Sequence, residues 1–317
     1  MVTYIQDARI REPLQQTCLK EFISLQWIAT TTIEAFQKAI QSHPCSIVIT
    51  THTDLESIDS DKVDYLENTK VILLCFENSS NYAMLAKHFH YPFDHLIMAS
   101  YGTQLYLKEV LHSLKHTLRV THQPQSIRDY MINTHNYHHA WLASSYDISL
   151  LSQRIHHTMN TCGIRRFQRQ RLLSMTYELL SNAIYDAPHS AQLTDYPCID
   201  KAQPLHLKPS HWPQCEWGAD GKVFAIGVKD PFGTLNYDIL RDHLSKVLHR
   251  HAPSHVMEYK EQGGAGLGFF KLFLCADALI VEVSKQRFSH IIALIDISQP
   301  SQAPKQEKMF HYIHHKS

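Results

Sequence analysis

Net charge is absent from this sequence: lysine plus arginine number 30 and aspartate plus glutamate number 30, across 317 residues. With no basic field to gather phosphates, the composition argues against a nucleic-acid partner and against an anionic membrane surface. Paired cysteines are missing too. The seven thiols, Cys18, Cys45, Cys75, Cys162, Cys198, Cys215 and Cys275, are odd in number and scattered, without the short repeated spacing of zinc or redox motifs. Neither the opening "MVTYIQDARI" nor any later stretch has the apolar length of a leader or a membrane span. These absences together predict a cytoplasmic chain with reduced thiols.

What is present suffices for two domains, each burying its own core. Histidine is abundant at 24 residues, with doublets at His138/His139, His156/His157 and His314/His315, so net charge rises steeply in mild acid. The closing "HYIHH" reads as a metal site or, more cheaply, as part of a polar tail over 299–317. The one basic cluster, Arg165, Arg166, Arg169 and Arg171, reads as a solvated helix face that could also receive an acidic partner.

Residues 1–120 alternate short apolar runs with amphipathic stretches. Strands are expected at "VTYIQ", "SLQWIAT", "SIVITT", "VILLCF" and "HLIMAS", with helices at 11–22, 32–42, 80–89 and 103–117. That alternation predicts a doubly wound parallel sheet, whose ligands sit at the carboxyl ends of the strands. Those ends are chemically poor here. In order and length the region resembles the receiver domain of bacterial response regulators, but not in motif. Thr50 or Thr51 stands where the resemblance requires the acceptor aspartate, Asp7 alone remains of the acidic pair, Cys75 holds the hydroxyl position and Met98 the lysine position. Asp54 and Asp59 fall past the strand end. The expectation is a degenerate receiver that docks a partner protein. Residues 121–160 read as a helical connector, with Gly163 as a helix stop.

The segment 161–298 holds three motifs. In "YELLSNAIYDAP", Glu178, Asn182 and Asp186 recur every four residues, one polar stripe of a helix whose Leu179, Leu180, Ala183 and Ile184 face a core. The strand "VFAIGVKDPFG" ends in Asp230, with Gly233 three residues on, placing a carboxylate at a sheet end beside a residue that admits close backbone approach. In "QGGAGLGFFKLF", Gly264, Gly266 and Gly268 precede a helix, where bare amides and the helix dipole suit phosphate oxygens. Lys271 lies inside that helix, so the loop is not of the Walker type. The proline-rich stretch 187–213 reads as an irregular insertion that Trp212 and Pro213 would pin.

Taken in order, the three motifs resemble the GHKL ATPases, the group of gyrase B, histidine kinases and anti-sigma-factor serine kinases. The resemblance implies an α/β-sandwich (Bergerat) ATP-binding domain with ATP and Mg2+ as ligands. It implies that Asn182 is the metal residue, that Asp230 reads the adenine amino group beside Gly233, and that Gly264, Gly266 and Gly268 line the triphosphate under a lid drawn from 234–262. Asp186 belongs to the same nucleotide-facing stripe. Glu178, where histidine kinases usually carry asparagine, suits activation of a hydroxyl or a water, and Tyr185 is a second departure from that branch. No histidine near the motifs has the spacing of a phosphoacceptor. The implied function is bacterial signalling by phosphorylation of serine or threonine on a regulatory partner. A nucleotide-binding switch and slow ATP hydrolysis stand as alternatives, and family members often form homodimers.

Overall fold

Short β-branched runs in the first hundred residues become five parallel strands: β1 (Val2–Tyr4), β2 (Ile28–Thr30), β3 (Ile47–Thr51), β4 (Lys70–Cys75) and β5 (His95–Met98). They lie in the order β2-β1-β3-β4-β5, the doubly wound arrangement expected from strands that alternate with helices. β3, β4 and β5 are apolar on both faces, because helices cover a parallel sheet from both sides. The helices are α1 (Ala8–Glu21), α2 (Ile33–Ser42), the short α3 (His52–Glu56) and α4 (Leu105–Leu118). On one face Leu14 and Cys18 of α1 meet Val110 and Leu114 of α4 over Ile49, Ile72 and Ile97. Each such aliphatic side chain contributes roughly 2 kcal/mol by leaving water.

This is a computed structural model, and it describes residues 1–24, 26–42, 47–56, 69–76, 93–99, 105–118, 124–133, 135–193, 195–196, 203–238, 240–241, 244, 267–298 and 308–315. The chain is α/β and divides into two units, Met1–Val120 with Leu248–Glu258 and Gln306–His311, and Thr121–Val247 with Tyr259–Lys305 and Tyr312–Ser317. Among the described residues no helix is long and apolar enough to cross a membrane.

Three features of the N-terminal unit differ from expectation. α1 begins at Ala8 because Asp7 caps it, its Oδ1 accepting the Arg9 N–H at 2.9 Å. α3 follows β3 without a break, and its Asp54 folds back onto the strand end. The supposed polar tail instead contains β11 (Lys308–His315), whose Lys308–His311 segment pairs antiparallel with β5. There the Nδ1 atoms of His95 and His311 lie 2.9 Å apart, both rings buried. Buried Phe310 and Tyr312 alternate with their neighbours at the period of a strand. The helix expected at 80–89 lies outside the described residues.

The C-terminal unit carries β6 (Asn136–Trp141), β7 (Gln214–Ala219), β8 (Val223–Asp230), β9 (Ala278–Ser284) and β10 (Phe288–Asp296), antiparallel in the order β9-β10-β8-β7-β6. The helical connector is therefore corrected: residues 136–141 form an edge strand, and α5 (Tyr146–Thr161) belongs to this unit. Alternation along "NYHHAW", with Tyr137 and Trp141 on one face, pairs with β7 and overrides weak helical periodicity. α5 ends at Gly163, φ +66°, as expected. α6 (Arg166–Ser181) and α7 (Leu267–Cys275) complete the helical layer. Trp217 of β7 is buried on that side and donates its indole N–H to Thr158 of α5 at 3.1 Å.

The other face of this sheet is roofed in its middle by residues 124–131. Glu282, wholly buried, accepts the Gln125 N–H at 2.9 Å. Glu216 accepts the Ser126 hydroxyl at 2.9 Å, the Ile127 N–H at 3.2 Å and the Tyr137 hydroxyl at 2.8 Å. Burial and the Glu216 carboxylate push the Tyr137 phenol up to about 12.

Candidate functional site

α6 delivers the first motif. Leu172, Met175, Leu179 and Leu180 are buried while Glu178 is partly open, so the apolar spacing orients the helix and leaves the carboxylate at its rim. The α-helix then gives way to a π turn over Asn182–Asp186, with the Ala187 N–H donating to the Asn182 carbonyl. Pro188 supplies a reason: it has no N–H for the Ile184 carbonyl, and its ring would crowd that oxygen in a regular helix. Wide turns of this kind recur at functional sites. The expected straight stripe is therefore corrected. Glu178 and Asn182 remain four residues apart along α6 and its end, but the widened turn carries Asp186 to the exposed side and keeps Ala183, Ile184 and Tyr185 buried.

The first and third motifs meet. A Cβ on Gly268, in the first turn of α7, would stand 2.5 Å from Glu178 Oε2 and 3.7 Å from Asn182 Oδ1. A side chain at this position would displace the Glu178 carboxylate. One turn further on, Lys271 Nζ donates to Glu178 Oε1 at 2.9 Å. Lys271 is a site residue that motif reading passed over. Its separation of three from Gly268, which puts both on one helix face, was the available signal. Gly264 and Gly266 lie outside the described residues, as does most of the expected lid at 234–262.

α7 is held from its other end. Arg171 of α6 donates to the Cys275 carbonyl at 2.6 and 3.0 Å and pairs with Asp277 at 2.7 Å, both side chains largely buried. A cation at a helix C-terminus satisfies open carbonyls and opposes the negative end of the dipole. Asp277 in turn accepts the Asp296 N–H of β10 at 2.8 Å. Arg171 thus leaves the solvated face expected of the arginine cluster, because α7 ends against it, whereas Arg165 and Arg166 are exposed.

The second motif closes β8. Asp230 pairs with Ser289 of β10 and is buried. Its Oδ1 accepts the Phe232 N–H at 2.9 Å, and Gly233 and Ser289 add further donors. Burial nonetheless pushes its carboxyl up to about 6. Gly233 has φ +62°, and a Cβ there would stand 2.2 Å from the Ser284 carbonyl oxygen. Its glycine is thus required by the β9–β10 turn packed against it, a structural demand independent of any ligand. The π turn packs on β8, so the segment from Asn182 to Asp186 touches the strand that Asp230 ends.

Of the 187–213 insertion, residues 187–193, 195–196 and 203–213 are described, and Ala187–Ser190 form a short helix. Trp212 does pin it, donating its indole N–H to the Leu207 carbonyl at 2.9 Å, while the Leu207 N–H reaches Ala143 at 2.8 Å. Among the described residues no cluster of three or more histidine, cysteine or acidic side chains has the arrangement of a metal site.

No protein-family model matches the sequence, and no curated protein matches it.

Proposed function

We propose that the C-terminal unit binds Mg·ATP in the manner of a GHKL domain and transfers the γ-phosphoryl group to a serine or threonine of a partner protein that the receiver-like N-terminal unit selects. The observation that carries this reading is the meeting of Glu178, Asn182 and Gly268, 86 to 90 positions apart in sequence, at a point where a Cβ would fill the space between the helices. The donor chemistry fits the ligand: a neutral amide oxygen suits a hard divalent cation that keeps its waters, and a buried carboxylate at a strand end suits an amino group of a planar base. Magnesium, when bound, neutralises phosphate charge.

In this reading Asn182 presents its amide oxygen to the metal, and ionised Asp230 accepts the adenine amino hydrogen. The amides at the start of α7 face the phosphates, with the positive helix end adding favourable potential. Glu178 takes the proton of the attacking hydroxyl as its oxygen bonds to the γ-phosphorus and the bond to ADP breaks. For that, Glu178 must leave Lys271. The same ion pair supports a second reading, a switch in which nucleotide binds without turnover and changes partner affinity.

Calorimetric titration with Mg·ATP, followed by γ-labelled ATP in cell extract, tests both. Label on a second protein, lost in Glu178→Ala and Asn182→Ala, is the expected kinase result. Tight nucleotide binding by Glu178→Ala and wild type alike, with no label moved by either, selects the switch. Free phosphate without labelled protein selects hydrolysis, and no adenine nucleotide uptake at millimolar concentration defeats the whole reading.

A further inference from the structure

On the C-terminal sheet's face opposite α5, the roof of residues 124–131 stops short of one end. Antiparallel register aligns Trp141, Gln214 and Lys229 across β6, β7 and β8 there. A cleft of about 420 Å³ opens at this end, lined by Trp141, Trp212 and Phe288, by Lys229 and Arg287, and by Asp230. That volume falls in the range of small-molecule sites, which pair apolar walls with a few convergent polar groups. Trp141 is 56% exposed, an unusual cost in apolar surface for an indole on an edge strand.

The two cations at this end have no ion-pair partner among the described residues. Lys229 Nζ stands 5.1 Å from the centre of the Phe288 ring. Neither the Lys229 nor the Arg287 side chain makes an ion pair or hydrogen bond with any described residue. The nearest carboxylate in sequence, Asp230, makes no ion pair with either of them and accepts hydrogen bonds from its own turn and from Ser289. Asp230 lines the cleft as well, but it is buried and held within its turn. Two cations beside three aromatic walls, neither of them ion-paired with the buried Asp230, are complementary to a flat ring that carries an anion.

We propose that this cleft binds a small planar aromatic anion, its ring against Trp141 and Trp212 and its carboxylate or phosphate between Lys229 and Arg287. Neither Glu178 nor Asn182 lines the cleft, but it shares Asp230 with the nucleotide site proposed above.

The full chain is titrated by calorimetry with phenyl phosphate, benzoate, inorganic phosphate and benzyl alcohol, magnesium absent. Phenyl phosphate is expected to bind at one site with a Kd of about 1 mM or tighter. Inorganic phosphate and benzyl alcohol, each lacking half of the ligand, are expected to bind about tenfold more weakly or worse. Benzoate matching phenyl phosphate assigns the cleft to carboxylates, and a weaker benzoate assigns it to phosphate monoesters. Lys229→Met and Trp141→Leu should each weaken phenyl phosphate about tenfold with unchanged melting temperature, and Asn182→Ala should leave it unaltered. No saturation of either aryl anion by about 10 mM, or binding lost in Asn182→Ala but kept in Lys229→Met and Trp141→Leu, overturns the proposal.

Discussion

At the end of β3, Thr50 donates its hydroxyl to the Tyr4 carbonyl at 2.8 Å, and Thr51 donates to Asp54 at 2.6 Å. Asp54 also takes the Gln6 N–H at 3.3 Å, tying α3 to the segment after β1. At the end of β8 a second buried aspartate, Asp230, sits beside the close approach that requires Gly233, and the helix packed on that strand leaves Glu178 and Asn182 partly open. Both aspartates are shifted upward by burial. They differ in what surrounds them: Asp54 joins elements of one unit, while Asp230 shares its strand with a π turn and a cluster of charged and amide groups. Buried carboxylates at strand ends are therefore not equivalent, and the groups beside them separate the fold-stabilising role of Asp54 from the ligand-binding role proposed for Asp230.

The strongest challenge to this contrast is Gly233→Ala. With φ +62° and a carbonyl 2.2 Å from the new methyl, the loss should be about 4 kcal/mol, read as a denaturant midpoint shift of the C-terminal unit alone. Arg171→Met should follow at about 3 kcal/mol, since it strands the buried Asp277 carboxylate. Chemical denaturation followed at Trp217 would report both, and a loss under about 1 kcal/mol in either variant would refute the packing argument behind it.

Asp230→Asn should act in the opposite sense. A carboxyl whose pKa is raised on folding holds its proton more tightly when folded, so stability grows as pH falls from about 6 toward 3.8 and the burial cost is fully present above that window. Removing the charge should thus stabilise the protein at pH 7.5 by up to about 3 kcal/mol while abolishing ATP binding. In the wild type, nucleotide affinity should decline through the same window as the acceptor is protonated. A variant that loses stability at pH 7.5, or that binds ATP normally, contradicts the role assigned to this residue. The smallest change is expected at Asp54→Asn. Its folded pKa is also raised by burial, so neutralisation should alter stability by less than about 1 kcal/mol and leave ATP affinity unchanged. Reduced nucleotide binding in that variant would erase the distinction between the two aspartates.

Much of this was legible beforehand where local pattern and tertiary demand agree. The parallel strands of the first unit are continuous apolar runs, and the strand ending in Asp230 and the helix bearing Glu178 follow from periodicity. The π turn was not legible from a four-residue spacing that assumes a regular helix, although Pro188 marks its cause. β6 and β11 were missed because "NYHHAW" and "KMFHYIHH" have few β-branched residues. Their neighbours in the sheet, rather than propensity, decide their state. The Lys271 contact with Glu178 arises from helix packing between residues 93 positions apart, and its one local sign is the three-residue spacing from Gly268.

The pairing of β11 with β5 has a consequence for synthesis and for dissection of the chain. His95 meets a partner 216 positions later, so during translation the border of β5 stays uncovered until the segment around His311 has left the ribosome. A fragment ending near residue 120 would present that bare backbone to other copies of itself, inviting strand-to-strand association. Adding the 308–315 peptide in trans should cap it and restore a monodisperse species.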